Sequence, residues 1–453
     1  MEKRQTYFDG RRITKPLFIA YSLIALGYIL DGIDNMNYSV ISPTLIENWG
    51  ISVSTAGQVG SYYLLGMFFG YILGGVLGDR IGRKKTLIAS VLGYSLMSIL
   101  NGFVPNIELF MLARGITGIF TGICMGSAVT FITEVTSAER RGRVVVIMFL
   151  MTSVSSFLVT ILFKYLILTF PDMGWRYILY IGGAGIIPML FAPRFIKESP
   201  RWLISKGRVS EAEGVMNYYF PGQPIDLSEE VQFEKRVQAA QAQSKMTVFG
   251  MIKELFNKKN ARYSIILMLA SIVMMPAILL TANFAPTLLI ATSGFTLEDS
   301  ATLAMLIQAG YIFGYLFSIP FSDKGGHKIP IVIGLTLLSI TALIYALLTT
   351  KIFIFIVIAI VAALITVVQP IWHIYVSENF PTQIRSSASG IVFGIGRLAS
   401  SIGYIIIPTF VFGGFGSVGV FILIAVMFGF VALLLGVLGR KSANVSLEVL
   451  HEE

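Results

Sequence analysis

Four ionisable residues stand well inside long apolar stretches of the chain: Asp31, Asp34, Arg114 and Arg397. A charge held in hydrocarbon costs at least about 2.5–3.5 kcal/mol on insertion scales, so such groups pair with one another or line a wet cavity. Asp31 and Asp34 are three residues apart and share one face of a helix. At about 1.5 Å per residue, Asp31 lies roughly 21 Å along the first apolar stretch and Arg114 roughly 10 Å down from the other surface. In a hydrocarbon core of about 30 Å the two depths match. An arginine there can hold one carboxylate ionised while the other, less compensated, takes up and releases a proton. A static salt-bridge cluster that aids assembly is the alternative. Arg397, in Gly394-Ile395-Gly396-Arg397-Leu398, sits roughly 17 Å along its own helix, and no acidic residue of the second half shares that depth. A guanidinium fork binds two carboxylate oxygens at once, so Arg397 is a candidate clamp for an organic anion. Pairing with Asp31 or Asp34, or packing alone, are its other possible uses.

Tyr62, Asn283, Gln308, Tyr311, Gln369, Trp372 and His373 are candidate binding residues around Arg397, with Gln58, Tyr63, Phe284 and Tyr375 as further polar or aromatic positions inside spans. Binding pockets place a few polar groups among aromatic walls, although Tyr and Trp near helix ends also serve as interface anchors. His373 is either a second proton site or a buried, hydrogen-bonded imidazole. Enzyme chemistry is not expected. Gly78 to Thr86 lacks the order of a phosphate-binding Walker loop, three histidines and one cysteine offer no zinc spacing, and no nucleophile elbow is present. No cofactor or metal is expected.

The elements that must position these residues follow from composition. The chain has 453 residues, 55% of them hydrophobic and only 13% charged, where a soluble domain carries about 25% charged residues. Apolar runs of about 20 residues, the length of a bilayer-crossing helix, recur along nearly the whole chain. Twelve helices are expected over 17–42, 54–77, 86–103, 107–132, 144–168, 175–193, 262–290, 298–321, 329–349, 352–376, 386–412 and 416–438. Of the 34 Lys and Arg residues, only Lys164, Arg176 and Lys351 fall on the outer connections, and only Arg114 and Arg397 within helices. Basic loops stay in the cytoplasm, so both termini are expected inside, in the plasma (inner) membrane. The polar start, with Lys3, Arg4, Arg11, Arg12 and Lys15, does not read as a cleavable signal, and Cys124 has no partner for an intrachain disulfide. The net charge of +9 belongs to these loops and does not point to nucleic acid. The segment 194–261 reads as a cytoplasmic linker of short amphipathic helices. One is expected to start at the capping-box pattern Ser210-Glu211-Ala212-Glu213, and 229–243 is also helix-prone.

Shifting the chain by 244 residues overlays its halves. Asp79-Arg80-Ile81-Gly82-Arg83-Lys84 falls on Asp323-Lys324-Gly325-Gly326-His327-Lys328, Gly66 and Gly70 on Gly310 and Gly314, and Glu134 and Arg141 on Glu378 and Arg385. A six-helix repeat points to a pseudo-two-fold carrier with its site near the midplane. The fold expected is thus an all-α membrane protein of two pseudo-symmetric six-helix bundles, 1–193 and 262–453, with a cytoplasmic tail. Glycines at 66, 70, 74 and 78 run down one face at four-residue spacing and are assigned to close helix packing.

Gly78 to Lys84 resembles the loop signature between the second and third helices of the major facilitator superfamily. Arg114 with Gly115 and Gly118 is similar to its fourth-helix motif. Lys197-Glu198-Ser199-Pro200-Arg201-Trp202-Leu203 resembles the segment after helix six in sugar porters and related organic-ion carriers. Asp31-Gly32-Ile33-Asp34 is similar to the Asp-Gly-x-Asp motif of aromatic-acid/proton symporters, and nicotinate-type carriers have an arginine like Arg397. The resemblance implies alternating-access transport of a small organic acid with protons, by a monomer in the lipid bilayer. Asp31, Asp34 and Arg114 would couple the proton. Asp79, Arg83, Glu134, Arg141, Arg143, Glu198, Asp323, Glu378 and Arg385 would form the cytoplasmic gate. His327, where the first copy has Arg83, departs from the pattern and implies a weaker or pH-sensitive second latch. Topology-setting surface charge is the other use for these groups. A sugar or polyol porter, or a non-transporting sensor with a carrier fold, are the alternative functions. Sugar porters place paired glutamines in helix seven, which Met274 to Thr287 lacks.

Overall fold

The structure, a computed structural model, describes residues 8, 11–137, 141–228, 231–232, 255–257, 260–281, 285, 289, 294–319, 327–380, 385–410 and 416–440, and excludes the side chains of 31–37, 39–40, 53, 141–142, 297, 377, 385–387, 407–410 and 417. Among the described residues there is no strand. The first half contains α1 (Lys15–Trp49), α2 (Val53–Ile81), α3 (Arg83–Phe103), α4 (Ile107–Glu134) and α5 (Arg141–Thr169). Its sixth span is α6 (Gly174–Gly182) and α7 (Ile186–Phe195), joined through a 3-10 turn at Gly183–Gly185. Two short helices follow, α8 (Pro200–Ser205) and α9 (Val209–Tyr219). The second half holds α10 (Ala261–Leu279), α11 (Leu297–Ser318), α12 (Lys328–Leu347), α13 (Lys351–Glu378), α14 (Arg385–Phe410) and α15 (Gly416–Leu438). Among the described residues, eleven helices are long and apolar enough to cross a membrane by length and composition, and α1, with 35 residues, is the twelfth. Leu96, Leu158, Leu190, Phe313, Ile333 and Leu433 are among many large apolar side chains left exposed. In water such a surface would drive association; against lipid tails it needs no cover.

α1 begins where Lys15 and Pro16 follow an extended Thr14, because proline's fixed φ suits a first helical turn. The expected end at 42 is too early: the helix runs on through Pro43 to Trp49 and stops at Gly50 with φ +63°. Proline inside a membrane helix is tolerated where neighbours re-satisfy the freed backbone groups. Here Trp49 packs edge-on against Phe110 at 5.8 Å and Trp175 at 5.2 Å, which carries the helix a further two turns.

Glycine sets the distance between α2 and α4. A Cβ on Gly66 would overlap the Gly115 carbonyl oxygen, and one on Gly70 the Ile119 carbonyl oxygen. In the second half, Gly310 and Gly314 of α11 meet the carbonyls of Ala359 and Ala363 on α13 in the same way. Each contact lies 244 positions from its first-half counterpart, so the repeat read in the sequence is a repeat of packing. Gly78 belongs to a different contact, since a Cβ there would meet the Arg83 guanidinium at 2.6 Å.

The linker helices dock on the first half. The Tyr219 hydroxyl accepts the Lys197 N–H at 3.1 Å, Thr14 donates to the Tyr219 carbonyl, and Arg11 donates to the Pro224 carbonyl at 2.9 Å. Burial pushes the Tyr219 phenol well above its ordinary pKa, so it stays neutral. α9 starts at Val209, one residue before the capping-box serine, without a side-chain cap; Arg208 paired with Glu211 at 2.6 Å bridges its first turn instead. Of the helix-prone stretch 229–243, only 231–232 are described. The halves meet along two seams, α2 against α14 and α5 against α11. The end of the molecule that carries α8 and α9 is the linker end; the opposite end is the far end.

Candidate functional site

At the linker end of the first half, Gly82 breaks α2 from α3 with φ +103°. The break brings Arg83 back over Asp79 at 2.7 Å and across to Glu134, which closes α4, at 3.3 Å. Glu134 is 9% exposed and Asp79 70%, so the buried carboxylate is the stronger partner. Glu198 accepts the backbone N–H groups of Lys84 and Ser199, each at 3.0 Å. It therefore caps the start of α3, where the helix dipole favours a negative charge. A Cβ on Gly82 would overlap the Glu198 carboxylate, and the Trp202 indole donates to the Asp79 carbonyl at 3.0 Å. The Lys197–Leu203 segment is thus a clasp on the α2–α3 turn.

The second half repeats this arrangement with a different donor. His327 Nδ1 lies 3.0 Å from Glu378, and Lys328 Nζ donates to the Gly439 carbonyl as Lys84 Nζ does to that of Pro193, each at 2.8 Å. Each of these ion pairs lies within one half. Arg143 is exposed. Asp323 and the side chains of Arg141 and Arg385 lie outside the described residues. Among the described residues, the ion pair that joins the halves is at the far end, Lys164 of α5 with Glu298 of α11 at 3.2 Å, where Lys164 also donates to Thr302 at 3.0 Å. On the other seam Ser61 and Ser401 are 2.8 Å apart and buried. Neither contact was legible beforehand, since each joins residues over a hundred positions apart.

Within the membrane-spanning region, Arg114 is 1% exposed. Its guanidinium lies 4.4 Å from the Tyr63 ring and 5.7 Å from that of Tyr38, and the Tyr38 hydroxyl donates to the Ala56 carbonyl. Tyr62, one position earlier than Tyr63, is 48% exposed; a step of one residue turns a helical side chain by about 100°. Asp31 and Asp34 lie in α1, seven and four residues before Tyr38, with side chains outside the description; Asn283 is outside it as well.

Arg397 lies in the middle of α14, half-buried, with no hydrogen bond or ion pair among the described residues. One turn before it on α14, Phe393 packs on His373 of α13 with ring centroids 4.2 Å apart. Gln369 accepts a hydrogen bond from the Tyr315 hydroxyl at 3.2 Å. Gln308 and Tyr311 are buried in α11, and the fully buried Trp372 indole N–H has no partner among the described residues. Phe393, Phe149 and Tyr38 are site residues that the sequence did not single out. Being apolar or aromatic in an apolar chain, they carried no signal of their own.

The model of the Major Facilitator Superfamily matches residues 24–404 and, again, 266–449. The 4-hydroxybenzoate transporter PcaK of Acinetobacter baylyi is 31% identical over 64% of this chain and 61% of its own. The niacin transporter NiaP of the same organism is 24% identical over 94% of both chains. Among solved structures, the proton:xylose symporter XylE of E. coli superimposes with a TM-score of 0.77 at 20% identity, covering 96% of this chain and 98% of that one.

Proposed function

The chain belongs to the major facilitator superfamily, and on that premise we propose that it is a secondary active transporter moving a small aromatic or heteroaromatic monocarboxylate together with protons by alternating access. The observation that carries this reading is Arg397, a half-buried guanidinium in mid-helix with no ion-pair partner among the described residues, one turn of α14 from the Phe393–His373 ring pair. A carboxylate would supply the missing charge through two parallel hydrogen bonds. Two relatives bear the names of 4-hydroxybenzoate and niacin carriers, and both compounds are flat rings with one carboxylate.

Arg114 is assigned to the proton pathway. Asp31 or Asp34 is the proposed carboxylate that holds its charge. The other of the two then carries the proton. The bundles 1–193 and 262–453 would rock about this site, with the linker 194–261 held on the first. The linker-end ion pairs, each within one half, would hold the helix ends on the cytoplasmic side as the halves move, with both termini on that side and the protein a monomer in the plasma membrane.

The test is counterflow of labelled benzoate or nicotinate in proteoliposomes of the purified protein. Benzoate and nicotinate compete and glucose does not. Arg397→Lys weakens the acid's affinity at least tenfold, and Asp31→Asn abolishes accumulation driven by an imposed pH gradient. Competition by glucose alone would establish a sugar or polyol porter, and absence of any counterflow a sensor.

A further inference from the structure

On the linker side of Arg397 the two halves touch through aromatic rings. Phe393 precedes Arg397 by four residues, about one turn of α14 nearer the linker end. Its ring lies on His373 of α13, with centroids 4.2 Å apart and planes at 35°. His373 leans on Phe149 of α5 at 6.4 Å, and Phe149 stacks on Tyr315 of α11 at 5.9 Å and 25°. From its own half, Phe149 is met by Tyr28 of α1 at 5.6 Å. Phe149 packs against the hydrophobic cores of both halves. Along α5 it sits eight residues, and along α14 Phe393 likewise eight residues, from the linker-end start of the helix, so the rings form one layer.

The ring layer lies about one turn of α14 from Arg397 toward the linker end. Cα–Cβ bonds tilt toward a helix's N-terminus, which for α14 is the linker end, the side on which Phe393 and His373 pack. An aryl carboxylate has its ring attached directly to the carboxylate carbon. With its oxygens on the guanidinium, its ring would lie within about a turn of Arg397, on the side of Phe393, His373 and Phe149. Aromatic rings favour offset-stacked and edge-on neighbours because their faces and edges carry opposite partial charge. A saturated ring of similar size fills the same space without that complementarity.

We infer that the layer of Phe149, His373 and Phe393 reads the ring of the acid held by Arg397, with Phe149 the specificity-determining residue that brings the opposite half onto the substrate. This rests on the monocarboxylate reading above. Because Phe149 comes from the first half and the other two rings from the second, a ring bound between them makes substrate recognition depend on contact between the halves.

The experiment is competition against labelled benzoate counterflow in proteoliposomes, comparing benzoate with cyclohexanecarboxylate. The wild type prefers benzoate at least tenfold. In Phe149→Ala and Phe393→Ala the preference falls to within about threefold, by loss of benzoate affinity, and Phe149→Tyr retains it. If the alanine variants do not fold, Phe149→Leu, which keeps bulk but lacks a ring, gives the same readout. A folded Phe149→Ala or Phe149→Leu that keeps the tenfold preference, or a wild type that does not distinguish the two acids, overturns the inference. If neither acid competes with any transported label in the wild type, the monocarboxylate reading fails and this inference with it. If benzoate transport needs Arg397 but ignores position 149, only this inference falls.

Discussion

Arg83 with Glu134 in the first half and His327 with Glu378 in the second occupy corresponding places at the linker end, each pair 51 residues apart. The first donor is a guanidinium held between two carboxylates, one of them nearly buried. The second is an imidazole, charged only when protonated, beside a carboxylate that is 23% exposed. Around them the packing contacts repeat without change of kind. Tyr71 donates to Met125 as Tyr315 does to Gln369, both over 54 residues, and glycines meet carbonyls at matching positions. The difference teaches where such a repeat can vary. Helix approach allows no slack, because interiors are close-packed and one extra carbon forces a backbone shift. Charges near the membrane surface keep access to water, so their identity can change at modest cost.

The largest effect that would break this comparison lies in the glycines. Gly70→Val and Gly314→Val are each expected to abolish folded protein, measured as monodisperse yield in detergent, whereas Gly75→Val, which has open space around it, leaves the yield near wild type. A folded Gly314→Val would show that the second half does not share the first half's packing.

Next in size is the ion-pair asymmetry. Glu134→Gln leaves a mostly buried guanidinium with an exposed partner, and should lower unfolding free energy by about 2–3 kcal/mol. Glu378→Gln should cost less than about 1 kcal/mol, since a neutral imidazole still hydrogen-bonds to the amide. Chemical denaturation of the two purified variants checks the order, and equal losses would remove the distinction between the halves. The smallest effect sharpens it: His327→Arg, which restores the first-half donor, should raise the thermal midpoint by about a degree and slow counterflow no more than about twofold. A fall in the midpoint would mean that the second-half site has no room for the longer side chain.

Much of the architecture was legible because membrane helices announce themselves in a single dimension. A run of apolar residues long enough to span, a constant offset between halves and a one-sided distribution of Lys and Arg are properties of the linear chain. Helix ends were less so: α1 outran its expected end because Trp49, Phe110 and Trp175 pack together, and the contacts that carried it past Pro43 come from three different helices. Tyr62 and Tyr63 make the same point at one residue's resolution, since both are polar aromatics in a span and only helix rotation decides which one faces Arg114.

By itself the sequence determined the all-helical class, the spans, the repeat and the presence of charges that must be compensated in hydrocarbon, because hydrophobic length and charge cost depend on residue type alone. Only the tertiary structure decided which partner each charge met. It gave Arg83 to Glu134 and Glu198 to the start of α3, and it left Arg397 without an ion-pair partner among the described residues, above a layer of rings from both halves. Those choices rest on distances of a few ångströms between residues far apart in the chain, set by how closely glycine lets the helices approach.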